Sequence, residues 1–275
     1  MRTPPISPEL SAAMKRLRLG KLLDTLAERL AFAKKDSMPI DEFLLLLFTD
    51  EIERRQSSAA SRRAEEAGLD PDMVIERWDP TAKVTFDRRV FRELTALRFI
   101  ETCRNVLVLG SVGVGKTFLA SALGHLACRA GFTVRFHRVD DLLRLLRQSR
   151  LDNSRDALVS ELCSVDLLIL DDFALEPMTR DESRDVYQLF IERNARLSTI
   201  ITSNRDTAEW IGVFADVLLG QGAVDRFKNN AYDLIIEGES YRPRLKPTVD
   251  DKEPPPSAPV LKRSASPRRR PNRRA

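Results

Sequence analysis

The sequence predicts an α/β fold, a buried parallel sheet with helices on both faces, and two observations carry that expectation. From about Val84 to Arg242, short β-rich runs alternate with amphipathic helical stretches. One of those runs passes directly into a glycine-rich loop that opens a helix, which is the order of a phosphate-binding unit. The strand candidates are Val106–Leu109, Thr133–Phe136, Val165–Leu170, Ser198–Thr202 and Leu234–Ile236. Short strands separated by helices fit a sheet that is covered on both faces. No internal repeat is visible.

Residues 1–81 read instead as a helical N-terminal domain for DNA or partner binding. Leu10, Met14, Leu17, Leu22, Leu26 and Leu30 recur at three- to five-residue spacing, as one face of a helix would. Pro39 and Asp41 open a second helix, with Asp41 as N-cap and Pro39 just outside it. Its apolar run, Phe43 to Phe48, is the longest in the chain and far short of the roughly 20 residues a membrane span needs. Gly68, Pro71 and Pro80 mark a linker. Residues 82–245 then carry the sheet, and residues 246–275 form a tail rich in Pro, Ser and Arg that is expected to be disordered.

Charge divides along the same lines. The chain carries a net +4, but Arg242–Ala275 holds 11 Lys and Arg against 3 Asp and Glu, leaving residues 1–241 at 34 against 38. The basic balance therefore belongs to the tail. Cys103, Cys128 and Cys163 fit no zinc spacing, and an odd count suits reduced thiols in the cytoplasm better than a disulfide framework. No apolar segment follows the N-terminus, so a signal peptide and a membrane location are not expected.

The chemistry concentrates in one motif series. Gly110, Ser111, Val112, Gly113, Val114, Gly115, Lys116 and Thr117 form a complete P-loop. Its glycines let successive backbone N–H groups converge on phosphate oxygens at a helix N-terminus. Lys116 would reach the β- and γ-phosphates of ATP, and the Thr117 hydroxyl would ligate Mg²⁺. Downstream, Leu167-Leu168-Ile169-Leu170 ends in Asp171 and Asp172. Asp171 is expected in the Mg²⁺ shell, and Asp172 is expected to orient or deprotonate the attacking water. Asn204 ends the next strand, where it either holds that water or simply starts a turn. Arg226 and Arg242 each lie near an element end, as surface arginines or as groups presented to a γ-phosphate from a neighbouring subunit.

Taken in order, the P-loop, the strand with twin acids, Thr202-Ser203-Asn204, Asp225-Arg226 and Gly238-Glu239-Ser240-Tyr241-Arg242 resemble the IstB-like transposition helper ATPases. These are AAA+ proteins related to DnaC-type helicase loaders, and the resemblance covers roughly residues 10–245. It implies an ATPase of the three-layer AAA+ type whose Asn204 is sensor 1, whose Arg226 is an arginine finger acting in trans, and whose Arg242 is the C-terminal arginine. It also implies ATP-dependent self-association on duplex DNA, deformation of that DNA, delivery of the element's transposase, and hydrolysis that resets the assembly. A DnaC-type loader that grips a helicase is the alternative within the resemblance. Four features depart from the family: Asp172 stands where Glu is common, Gly220-Gln221-Gly222-Ala223 precedes the Asp-Arg pair where small or bulky apolar residues are frequent, Lys228-Asn229-Asn230 stands where histidines are usual, and the basic tail is longer than the resemblance implies. The shorter Asp172 leaves a nucleotide-gated DNA-binding module with little hydrolysis as a third reading. A kinase acting on a small metabolite would need an acceptor lid, and no such insertion lies between Lys116 and Asp171.

DNA contacts are the least specific expectation. Arg54, Arg55, Arg62 and Arg63 could track phosphates, but Glu51, Glu53, Glu65 and Glu66 interleave with them, so a solvated helix with paired charges fits equally. Lys262, Arg263, Arg268–Arg270, Arg273 and Arg274 of the tail would hold any polyanion without sequence preference.

Overall fold

The structure, a computed structural model, describes residues 6–245. Three helices come first: α1 (Pro8–Arg16), α2 (Leu23–Lys35) and α3 (Ile40–Glu66). Ser7 caps α1 by accepting from the Leu10 N–H. The leucine periodicity does not make one continuous helical face. Arg18 takes a left-handed backbone, φ 59°, and a short 3₁₀ turn follows at Gly20–Leu22. Met14, Leu22 and Leu26 consequently pack with Leu47 of α3, while Leu17 is left exposed. Asp41 is not the N-cap of α3. Pro39, already extended at φ −58° and ψ 151°, takes that position, and Asp41 falls in the first turn. There its charge still meets the positive end of the helix dipole.

The remaining elements run β1 (Val84–Thr85), α4 (Arg88–Thr95), α5 (Arg98–Glu101), β2 (Asn105–Gly110), α6 (Lys116–Ala130), β3 (Val134–Arg138), α7 (Val139–Leu151), α8 (Arg155–Leu162), β4 (Leu167–Asp171), α9 (Arg180–Arg193), β5 (Ser198–Ser203), α10 (Thr207–Trp210), α11 (Val217–Lys228) and β6 (Ala231–Gly238). The sheet order is β1-β6-β2-β5-β4-β3, with every neighbouring pair parallel except the antiparallel β1–β6 edge.

Alternate residues of each central strand feed two separate cores. Leu107, Leu168, Leu170 and Ile201 face helices α7, α8, α9 and α11 through Leu146, Leu162, Leu189 and Val224. Val106, Val108, Leu167, Ile169 and Ile200 face α6 and α4 through Leu119, Leu123 and Leu94. These strands are therefore apolar on both sides, and the result is the expected three layers. Each fully buried leucine contributes about 1.5–3 kcal/mol.

Residues Met1–Tyr241 make one compact unit, and a second begins at Arg242, of which a 3₁₀ turn at Arg242–Leu245 is described. No break in packing falls at the linker near residue 81, because Ala64, Ala67 and Leu69 share a core with α6. The tail cluster Lys262–Arg274 lies outside the described residues. Among the described residues, no helix is long and apolar enough to cross a membrane.

Candidate nucleotide site

The site forms where β2, β4 and β5 end on one side of the sheet. The P-loop leaves β2, and Gly115, at φ 96°, hands the chain to α6. Gly113 cannot carry a side chain: its φ is 86°, and a Cβ there would overlap the Ser240 hydroxyl. Ser240 lies this close because the segment after β6 folds back on the loop, where the Tyr241 N–H donates to the Gly113 carbonyl at 2.8 Å. Lys116 Nζ donates to the carbonyls of Gly110 (2.9 Å) and Ser111 (2.8 Å), which fixes the ammonium at the mouth of the loop.

Asp171 and Thr117 come together as expected. Thr117 Oγ1 donates to one carboxylate oxygen of Asp171 at 3.0 Å, and Thr202 Oγ1 donates to the other at 2.6 Å. Asp171 is only 2% exposed. Burial pushes its carboxyl above the usual range, and the neighbouring Asp172 charge adds to that, while the two hydroxyls and Arg138 oppose it. A carboxylate and a hydroxyl side by side are hard oxygen donors of the kind Mg²⁺ takes. No cluster of three or more His, Cys, Asp or Glu able to hold a metal occurs among the described residues. Any metal here would therefore complete its shell with phosphate oxygens and water.

Asp172 is held apart from Asp171. Its backbone is left-handed, φ 58°, a conformation that costs a non-glycine residue about 1–3 kcal/mol. Its N–H donates to Thr202 Oγ1 at 2.9 Å. Its carboxylate pairs with Arg138 at 3.1 Å, and Arg138 ends β3 in register with Asp171.

Asn204 follows β5, between the P-loop strand and the strand of the twin acids in the sheet order, and is exposed. Arg226 is an exposed residue of α11 that donates to the Gly222 carbonyl one turn back, at 2.9 Å. Arg242 belongs to the second unit. The four helix arginines separate. Arg54 and Arg55 both hold Glu51, each at 2.7 Å, and Arg62 lies 3.7 Å from Glu66. Arg63 donates to the Cys128 carbonyl at 2.8 Å, bracing α3 against the C-terminal end of α6.

Sequence reasoning missed three participants. Thr202, one Oγ1 serving both acids, read only as a polar strand residue. Arg138 lies 34 positions from Asp172, and only the parallel β3–β4 register brings the two together. Trp78 packs on the P-loop side of α6, 5.5 Å from the Phe118 ring, and with Val114, Gly115 and Tyr241 lines a small apolar cavity beside the loop.

Comparison with known proteins decides the family. The profile of the IstB-like ATP binding proteins matches residues 12–248. The chain belongs to that family. It is 36% identical over 241 residues to an insertion-sequence ATP-binding protein of Mycobacterium tuberculosis, covering 87% of this chain and 96% of that one. It is 35% identical over 234 residues to the IS21 ATP-binding protein of Pseudomonas aeruginosa, covering 85% and 88%. Among solved structures it resembles DnaI, with a TM-score of 0.51 and 21% identity over 59% of this chain and 90% of that one. That likeness places the fold among P-loop AAA+ domains. Both of these relatives are ATP-binding proteins of insertion sequences.

Proposed function

We propose that this IstB-like protein hydrolyses ATP and uses it to assemble on duplex DNA, where it presents a target to the transposase of its insertion element. The observation that carries the reading is the bonded chain Thr117–Asp171–Thr202–Asp172, in which the Thr117 hydroxyl ties the phosphate loop to Asp171 and the Thr202 hydroxyl joins the two acids. Mg²⁺, held by Thr117 and Asp171, would neutralise charge developing on the phosphate oxygens.

The protein's own groups do the rest. The P-loop amides and Lys116 bind and orient the phosphates. Trp78, Val114 and Phe118 offer an apolar surface to the base. Asp172, released from Arg138, accepts the proton of the attacking water, and Asn204 positions that water from the end of β5. Arg226, exposed on α11, serves the nucleotide of a neighbouring copy in this reading, and Arg242 takes part in the same subunit-dependent step. The phosphate loop, both acids and Trp78 thus act as one nucleotide site, and helices α1 to α3 are the surface that meets DNA or protein.

The pairing of Asp172 with Arg138 supports a second reading, in which ATP gates DNA binding and hydrolysis is slow until a partner breaks that pair.

Sedimentation of the protein on a long duplex tests the proposal. A large complex formed with ATP and lost with ADP supports it; the same profile under both nucleotides refutes it.

A further inference from the structure

Beside the nucleotide site, a second cleft that shares Trp78 with it opens between β1 and α4. Its volume is about 680 Å³ and its lining includes Trp78, Val84, Phe86, Phe91, Arg88 and Arg92. The three rings form a continuous aromatic wall: Trp78 and Phe86 meet edge-on at 6.2 Å, and Phe86 and Phe91 at 5.2 Å. All three are half-buried, so part of the wall faces the cleft.

The charges around it are unbalanced. Nearby cations are neutralised: Arg77 by Asp72, Lys83 by Glu239 and Arg98 by Glu93. Nearby acids are also committed. Asp79 accepts from the Thr81 N–H and hydroxyl, and Asp87 caps α4 by accepting from the N–H groups of Arg89 and Val90. Arg88 and Arg92, by contrast, are exposed and meet no carboxylate among the described residues. Arg92 spends only its Nε, on the Arg88 carbonyl at 3.3 Å, leaving its two terminal nitrogens to face outward. They lie four apart on α4, so both project from one helix face.

We propose that this cleft binds a DNA strand, with backbone phosphates on Arg88 and Arg92 and an unstacked base against the aromatic wall. The inference rests on the DNA-binding reading above and assigns it a surface other than α3. Arginines with no carboxylate partner beside partly open rings are the combination by which single strands are held: the cations track the backbone, and the rings take bases of any sequence. Ring stacking needs an uncovered base face, so the bound strand is single or locally opened. None of these residues belongs to the phosphate loop or the twin acids, and occupation of the cleft would touch the nucleotide site only through Trp78.

The test uses the full chain without nucleotide and a labelled oligothymidylate of about 20 nucleotides, with a duplex of equal length as the second arm. The wild type should bind the single strand, and that binding should quench Trp78; Trp210, 0% exposed in the core, supplies a constant background. Arg88→Ala/Arg92→Ala should weaken binding at least roughly tenfold. It should also make the slope of log affinity against log salt shallower by about 1.4, two single-strand phosphate contacts at about 0.7 each. If the alanine pair fails to fold, Arg88→Gln/Arg92→Gln keeps the stems and should show the same loss. A variant that binds the oligonucleotide with wild-type affinity and slope overturns the cleft while leaving DNA binding intact. A wild type that binds neither single strand nor duplex without nucleotide overturns the cleft, and one that still binds neither once ATP is added overturns the DNA-binding reading as well.

Discussion

Helix α3 begins among exposed leucines and ends inside the core of the nucleotide-binding unit, and the contrast between its ends separates two kinds of hydrophobic surface. Near its start, Ile40 is 79% exposed and Leu45 69%, with Leu44, Phe48 and Ile52 also open. Toward its end, Ala60 and Ala64 are buried, and Ala64 belongs to the core that α6 shares with the sheet. The central strands bury their apolar residues: Leu107 of β2 and Ile169 of β4 have no exposure at all, and neither has Leu119 of α6, which packs in the same core as Ile169. The N-terminal helices bury only a small cluster around Met14, Leu22, Leu26 and Leu47. Exposed apolar stripes are common where proteins dock, whereas the central strands around the P-loop are covered on both faces.

The sharpest way to break this contrast is to disable the half around the P-loop. Lys116→Ala should abolish turnover and weaken ATP binding roughly a hundredfold, because its ammonium is held at the mouth of the loop where the phosphates bind; titration with a fluorescent ATP analogue checks it. Arg226→Ala should lower turnover by about a thousandfold with ATP affinity little changed. Mixing it with Lys116→Ala should restore part of the activity, since a mixed pair contains one complete site; recovery absent at every ratio would place Arg226 outside the site.

Packing gives the next largest difference. Leu107→Ala, at a fully buried position, should cost about 2–5 kcal/mol. Leu45→Glu on the open stripe should change stability by no more than about 0.5 kcal/mol and reduce capture of the transposase instead. Equal losses of stability in denaturant titrations would erase the distinction drawn between the two ends of α3.

The smallest effect is electrostatic. Hydrogen bonds from Arg54, with help from Arg55 and against the cost of burial, hold the Glu51 carboxyl down at about 2, from an ordinary 4.5. A lowered folded-state value stabilises the fold above the ordinary pKa and loses that contribution as pH falls through 4.5 toward 2. Glu51→Gln should therefore lower the melting temperature at neutral pH, and the deficit should shrink across that acidic window. A deficit independent of pH would mean that Glu51 acts by packing rather than charge.

What the sequence made legible follows the same division. The central strands were visible because both of their faces are buried, and a run such as Leu167–Leu170 has no other use. The P-loop and Asp171 were visible because their chemistry dictates residue type at fixed spacing. Thr202 and Arg138 were not, because their roles arise from strand register, which brings residues about 30 apart into contact. Edge strand β1, two residues long, has too little pattern to detect. The N-terminal helices were mistaken for one face because leucine spacing alone does not register a single left-handed residue, Arg18, that turns the chain between them. The arginines of α3 misled in another way: Arg63 and Arg55 spend their donors on backbone carbonyls of distant elements, a use that leaves no trace in local sequence.

The central claim is that DNA and nucleotide are coupled through the site formed by Lys116, Asp171 and Asp172. The most direct measurement is ATP turnover by the purified protein with and without long duplex DNA, with Lys116→Ala as the blank. The account predicts turnover that DNA raises and the variant lacks. Turnover at the blank level in both conditions would contradict hydrolysis by this chain alone and leave Asp172 without a catalytic role.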